Sequence, residues 1–301
     1  MHPAPSVILF TVLSGLGFGF LAALGAGVLQ PAGWAAFLLW GLGYGLSVAG
    51  LLASTFHLGR PERAWRALSQ WRSSWLSREG LCALASLVLL APMALSDGLG
   101  LGLPRGIGLL GAVLALGTVV TTGMIYAQLK TVPRWNHPIT PVSFVAFALA
   151  GGAILSELGW GAVALLLGLA AVLVVQWRIG DGRFAEVGVT IGSATGLGTL
   201  GRVSVLEQPH SHPNYLMREM IYVVGRKHAL KLRRLALGLG CLAPALILSL
   251  PAHPALTALA VLLHVAGALS ARWLFFAEAE HVVGLYYGKH GPAAGAGRRD
   301  G

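Results

Sequence analysis

Two residues able to take part in proton exchange bracket the most polar stretch in the first third of the chain. His57 opens it and Glu79 closes it, with five arginines (Arg60, Arg63, Arg66, Arg72, Arg78) and three tryptophans (Trp65, Trp71, Trp75) between them. A histidine can hydrogen-bond a carbonyl oxygen, and a carboxylate can take up or release a proton. A quinone headgroup, which exchanges two electrons and two protons, needs both abilities. Guanidinium groups such as Arg60 or Arg78 favour the reduced, anionic forms of such a ring. The same stretch also fits an interfacial helix: Pro61 suits a first helical turn, and the tryptophans suit the headgroup level of a bilayer. Both readings stand at this point.

A second set of polar residues closes the last apolar run, Arg272-Trp-Leu-Phe-Phe-Ala-Glu-Ala-Glu-His281. Arg272 and Glu278 are too far apart to stack on one helix face, but each can turn toward the interior near His57 and Glu79. Arg272 is also placed to extend its charge to the headgroups. His264 lies near the middle of the same run. A bis-histidine haem needs a second histidine at matching depth, and the other histidines fall in loops or at helix ends, so no haem is expected. Cys82 and Cys241 are the only cysteines. An iron–sulfur cluster typically uses four, so none is expected in this chain. His210, His212 and His228, with Glu207 and Glu219, lack recognisable ligand spacing, so no metal site is assigned.

The elements that must position these residues follow from composition. Of 301 residues, 55% are hydrophobic and only 11% are charged, against roughly 25% in soluble domains. Lipid must therefore solvate most of the surface. Eight stretches reach or approach the length of a spanning helix: Val7–Leu29, Trp34–Phe56, Ser77–Leu95, Ile107–Leu129, Val142–Leu158, Trp160–Trp177, Leu235–Leu250 and Ala255–Phe276. The fifth and seventh are short and can begin a few residues earlier. The first has no basic residues before it, unlike a cleaved signal peptide, and reads as a retained helix. Small residues such as Gly15, Gly17, Gly19, Gly41, Gly43 and Gly45 allow close helix approach in lipid. The expected fold is an all-α polytopic membrane helix bundle of about eight helices, one integral membrane domain over residues 1–301. One long loop, residues 178–234, separates helices six and seven. Within it, residues 202–210 read as a strand or extended piece. Residues 214–234 read as a helix with Asn214 as a possible cap and a basic amphipathic end.

Alternate connections of eight helices fall on opposite sides. With Arg78 counted in the first loop, 19 of the 21 Lys and Arg residues flank the side of the N-terminus, and Arg105 alone flanks the other. This asymmetry places the basic side in the cytoplasm, with both termini there. The net charge of +10 then reflects topology and anionic lipid headgroups. No nucleic-acid partner is expected.

The His57-Leu-Gly-Arg-Pro61 element, the Arg/Trp-rich loop running to Ser77-Arg-Glu-Gly80, the late Arg226-Lys-His228 run and the opening His2-Pro-Ala-Pro-Ser-Val-Ile-Leu-Phe-Thr11 together resemble membrane-anchor subunits of the dimethyl sulfoxide reductase type. The resemblance covers nearly the whole chain. It implies a bacterial cytoplasmic-membrane complex of anaerobic respiration, with a molybdopterin catalytic subunit and an iron–sulfur subunit as partners. The anchor would exchange electrons with quinone or menaquinol without acting on the external substrate. It also implies quinol binding at the residues matching His57 and Glu79, and no haem. The heavy basic charge of the first loop and of residues 178–234 is similar to anchors of cytoplasm-facing sulfite-oxidising complexes, which reduce quinone. A secondary transporter is the competing class, but its ionisable groups tend to sit at the bilayer midplane. Reporter fusions in the first loop and in the long loop are expected to give cytoplasmic activity; a periplasmic signal from either would overturn the topology.

Overall fold

A computed structural model of the chain describes residues 2–57, 60–204, 206, 214–220 and 228–287. Among them the regular structure is entirely helical: α1 Pro5–Gly25, α2 Gly33–Ala53, α3 Trp75–Leu99, α4 Arg105–Ala127, α5 Ile139–Leu155, α6 Trp160–Val187, α7 Ile191–Thr195, α8 Tyr215–Met220, α9 Ala229–Leu237, α10 Ala243–Leu248 and α11 Pro254–Ala277. Helices α1, α2, α3, α4, α6 and α11 are each long and apolar enough to cross a membrane. α5 is a shorter apolar helix of 17 residues. α9 and α10 are joined without a break by the π turn Gly238–Leu242. At 1.5 Å per residue this composite is about as long as the bilayer core is thick. The chain is thus a multi-pass helical membrane protein with the expected arrangement of about eight long apolar segments.

α1 is the spine of the bundle. It packs against α2, α4, α5 and α11 and is apolar on every face, as a helix surrounded by others must be. Its glycines allow this. Gly19 lies on the Ala148 carbonyl of α5, and Gly152 of α5 lies in turn on the Gly19 carbonyl. Toward α2, Gly17 packs on the Ser47 backbone, and Gly50 packs on that of Ser14. Gly41 and Gly45, which sequence alone does not distinguish from these, face open space. In lipid the association of helices rests on such packing.

The boundaries of the long loop move. Helix six does not stop at Trp177 but continues to Val187, where Gly188 at φ +64° caps it in the left-handed conformation. Gly180 does not break the helix because it is buried beneath the Arg134 side chain, with no room for a Cβ. At the other end the seventh segment already begins at Ala229, so Arg233 and Arg234 are helical. Asn214 does act as a cap, its Oδ1 accepting from the Met217 amide at 2.9 Å. Residues 202–204 have no regular structure, and the rest of the extended piece expected at 202–210 lies largely outside the described residues. So do His210, His212, Glu207 and the Arg226–Lys227 run. Among the described residues, no group of three His, Cys, Asp or Glu side chains could hold a metal ion.

On the face away from the basic loops, Arg105 pairs with Asp97 at 3.0 Å, and the Trp40 indole donates to the same carboxylate at 3.1 Å. Replacing Gly19 with Ala is expected to lower the thermal unfolding temperature of the detergent-solubilised protein, by roughly 1–3 kcal/mol of stability. Gly41→Ala serves as the control and is expected to change nothing; equal unfolding temperatures for the two variants would contradict the backbone-contact account.

Candidate functional site

Glu79 sits on the second turn of α3. Ser74 caps that helix by accepting from the Ser77 amide, and the Ser77 hydroxyl donates to the Ala67 carbonyl. Ala67 belongs to the 3-10 helix Pro61–Gln70, so this bond ties the Arg/Trp-rich loop onto the end of α3. Leu68 of the same segment covers Gly80. Glu79 is only 3% exposed and accepts a hydrogen bond from the Thr122 hydroxyl on α4. A carboxylate so enclosed is costly unless it is bonded or takes a proton.

One turn beyond Thr122, Tyr126 lies within Coulombic reach of both Glu79 and Arg272. Its ring stacks on Phe144 of α5, with centroids 5.6 Å apart. Arg272 of α11 is also only 3% exposed. Its guanidinium lies 3.5 Å from the Phe144 centroid and 4.9 Å from that of Phe147. Among the described residues it has no carboxylate partner, so the negative faces of the rings hold its charge. Trp135, Phe275 and Phe276 complete an edge-to-face cluster around Tyr126. The Trp135 indole donates to the Phe275 carbonyl at 2.9 Å, which fixes the α4–α5 connection to α11. Glu79, Thr122, Tyr126, Phe144 and Arg272 all lie within about two turns of helix ends on the side of the basic loops, and so form one layer across α3, α4, α5 and α11.

Outside this layer is an ion network. Arg134, from the α4–α5 connection, pairs with Asp181 of α6 at 2.5 Å and with Glu278 at 3.3 Å. Arg233 of α9 pairs with the same two carboxylates at 2.6 and 2.7 Å. The four groups tie together three helices and a loop, and they line a cavity of about 380 Å³. Glu278 follows the last residue of α11. Burial pushes its carboxyl up, against the downward pull of Arg134 and Arg233.

The sequence expectations meet this geometry unevenly. Glu79 and Arg272 come together in the buried layer. His57 ends the turn Ser54–His57, which packs against α1, α2 and the loop helix; its side chain lies outside the described residues. Arg60 is exposed at the start of the loop helix. Arg78 holds the loop, donating to the Trp71 and Arg72 carbonyls at 2.9 and 2.7 Å and lying over Trp75 at 4.3 Å. Neither is brought into the layer as Arg272 is. His264 bonds the Gly240 carbonyl of the π turn at 2.7 Å, and its ring faces α5 where Gly151 leaves room beside the Phe147 backbone. Sequence reading missed Thr122, Tyr126, Phe144, Arg134, Asp181 and Arg233. The signal available for the first two was a Thr-Thr pair followed by Tyr126 in an otherwise apolar helix.

A multi-pass helix bundle with a buried carboxylate and a buried arginine beneath a basic face defines a class of membrane protein whose polar chemistry sits at one edge of the bilayer. The chain belongs to the DMSO reductase anchor subunit family, whose model matches residues 2–288. It is 32% identical to a membrane relative from Allochromatium vinosum, the C component of a sulfite dehydrogenase, over an alignment of 327 positions covering 95% of this chain and 99% of the relative. No solved structure matches it.

Proposed function

We propose that this chain is the quinone-reactive membrane anchor of a molybdopterin and iron–sulfur oxidoreductase complex, and that its quinone site adjoins Glu79. The observation that carries the reading is the buried Glu79 carboxylate, bonded by Thr122, in one layer with a cation that has no carboxylate partner among the described residues. A quinone supplies two-electron, two-proton exchange when bound. The quinone arrives through lipid and the electrons arrive from an aqueous partner, so the site belongs at the bilayer edge under that partner. Glu79 exchanges the proton. His57, at the adjoining end of α2, donates a hydrogen bond to a ring carbonyl. Arg272 favours negative charge on the bound ring, a role in which a fixed cation in a dry site is effective. Arg60 and Arg78 act from the loop that closes over α3.

Positive-inside asymmetry supports a bacterial cytoplasmic-membrane location with both termini and the basic loops in the cytoplasm. The iron–sulfur subunit then docks on those loops, where charge complementarity sets encounter and register. The likeness to a sulfite dehydrogenase component favours a complex in which sulfite is oxidised outside this chain and quinone is reduced by it. The chain itself does not act on the external substrate.

Replacing Glu79 with Gln, or His57 with Ala, is expected to cut quinone-linked turnover of the assembled complex by about a hundredfold. Turnover with a dye that reaches the iron–sulfur chain directly should persist. Wild-type quinone turnover in both variants would move the site elsewhere. Deleting residues 205–230 is expected to release the iron–sulfur partner into the soluble fraction; a partner still bound and still passing electrons would remove the loop from the docking surface.

A further inference from the structure

Glu79 is sealed from water by the loop helix and by α4, so any proton it exchanges needs a route. Polar groups and cavities in the structure lie along one line away from it. The first cavity, about 380 Å³, is lined by Arg134, Asp181, Arg233 and Glu278. A second, about 20 Å³, is bounded by Arg134, Glu278, Gln176 and Arg272. That volume suits a water molecule, and its walls supply polar partners. The two cavities share Arg134 and Glu278. Arg272 forms the inner wall of the second and lies over Phe144, whose ring also stacks on Tyr126. Tyr126 is within Coulombic reach of Glu79 and follows Thr122, which bonds it. Glu278 is thus the one carboxylate among the described residues that faces both the outer cavity and the cavity at Arg272.

We propose that Glu278 is the proton port of this site: it exchanges protons with water in the outer cavity and passes them, over water held between Gln176 and Arg272, to the Tyr126–Thr122–Glu79 layer. The inference rests on Glu79 being the proton-exchanging group of a quinone site. Quinone reduction consumes two electrons from the iron–sulfur partner and two protons drawn in along this line; quinol oxidation releases the same number outward. Arg272 stays a cation throughout and orients the water. The charged groups facing Glu278 are Arg134 from the α4–α5 connection, Asp181 from α6, Arg233 from α9, and Arg272 and Glu280 from its own segment. Asp181 provides the comparison. It bonds the same two arginines but lines only the outer cavity, so its removal weakens the ion network without touching the inner step.

The test uses the assembled complex in membranes, with a short-chain quinone as probe. E278Q is expected to lower kcat of quinone-linked turnover about tenfold or more and to raise its solvent deuterium isotope effect. KM for the quinone should stay within about twofold. E278D should restore most of kcat, and D181N should stay near wild type. Q176L leaves every ion pair intact and should lower kcat in the same sense as E278Q. Equal losses in E278Q and D181N would make the network merely structural, and wild-type kcat and pH profile in Q176L would overturn the route even if E278Q failed to assemble. Failure of the quinone-site reading looks different: E79Q would then keep full quinone turnover. A port at Glu278 predicts that E79Q and E278Q both slow it while dye-linked turnover survives in each.

Discussion

The approach of α1 to α5 sets the distances on which the rest of the bundle depends. Gly19 against the Ala148 carbonyl and Gly152 against the Gly19 carbonyl bring two helix backbones together with no side chain between them. In water such a contact would be one among many apolar ones. In lipid the tails are as apolar as the side chains, and packing of this kind is what holds helices together. With α1 filled in on all sides, α5 and α11 lie close enough for Phe144 to meet a guanidinium from the opposite helix. The layer that contains Glu79 is therefore a consequence of glycines placed well away from it.

The structure holds arginine within the bundle in two ways. At the edge, Arg134 and Arg233 share Asp181 and Glu278, so each charge is matched and each carboxylate is bonded twice. Such matching matters because a charge taken out of water without a partner is costly. Deeper in, Arg272 has aromatic faces instead of a carboxylate among the described residues. A charge held this way is not neutralised and stays available to another negative group. Intramembrane ionisable residues are rare, and they mark function more often than stability. The edge network, by contrast, fastens α6, α9, α11 and the α4–α5 connection into one piece.

The first loop shows how an interfacial segment can be both an anchor and a lid. Trp65 and Trp71 remain exposed, each beside an arginine lying over its ring, as suits a headgroup layer. The same segment is bonded to α3 through Ser77 and Arg78. Those bonds close the aqueous side of Glu79. The two readings that sequence left open for this stretch, an interfacial helix and a functional loop, describe two faces of one element.

Sequence by itself determined the number and order of the apolar segments, their alternation across the bilayer and the family. These depend on length, hydropathy and charge counts, which are properties of the linear chain. It also singled out Glu79 and Arg272, because an ionisable residue near the end of an apolar run is conspicuous. Only the tertiary structure decided that α6 continues to Val187, since Gly180 is held in the helix by Arg134, a residue 46 positions away in sequence. It alone decided which glycines are contacts and which face open space. It also decided that Thr122, Tyr126 and Phe144 stand between the buried carboxylate and the buried arginine. Hydropathy periodicity carries no signal for this, because in a membrane both the lipid-facing and the helix-facing sides are apolar. Which side turns inward is settled by the neighbouring helices, and those come from distant parts of the chain.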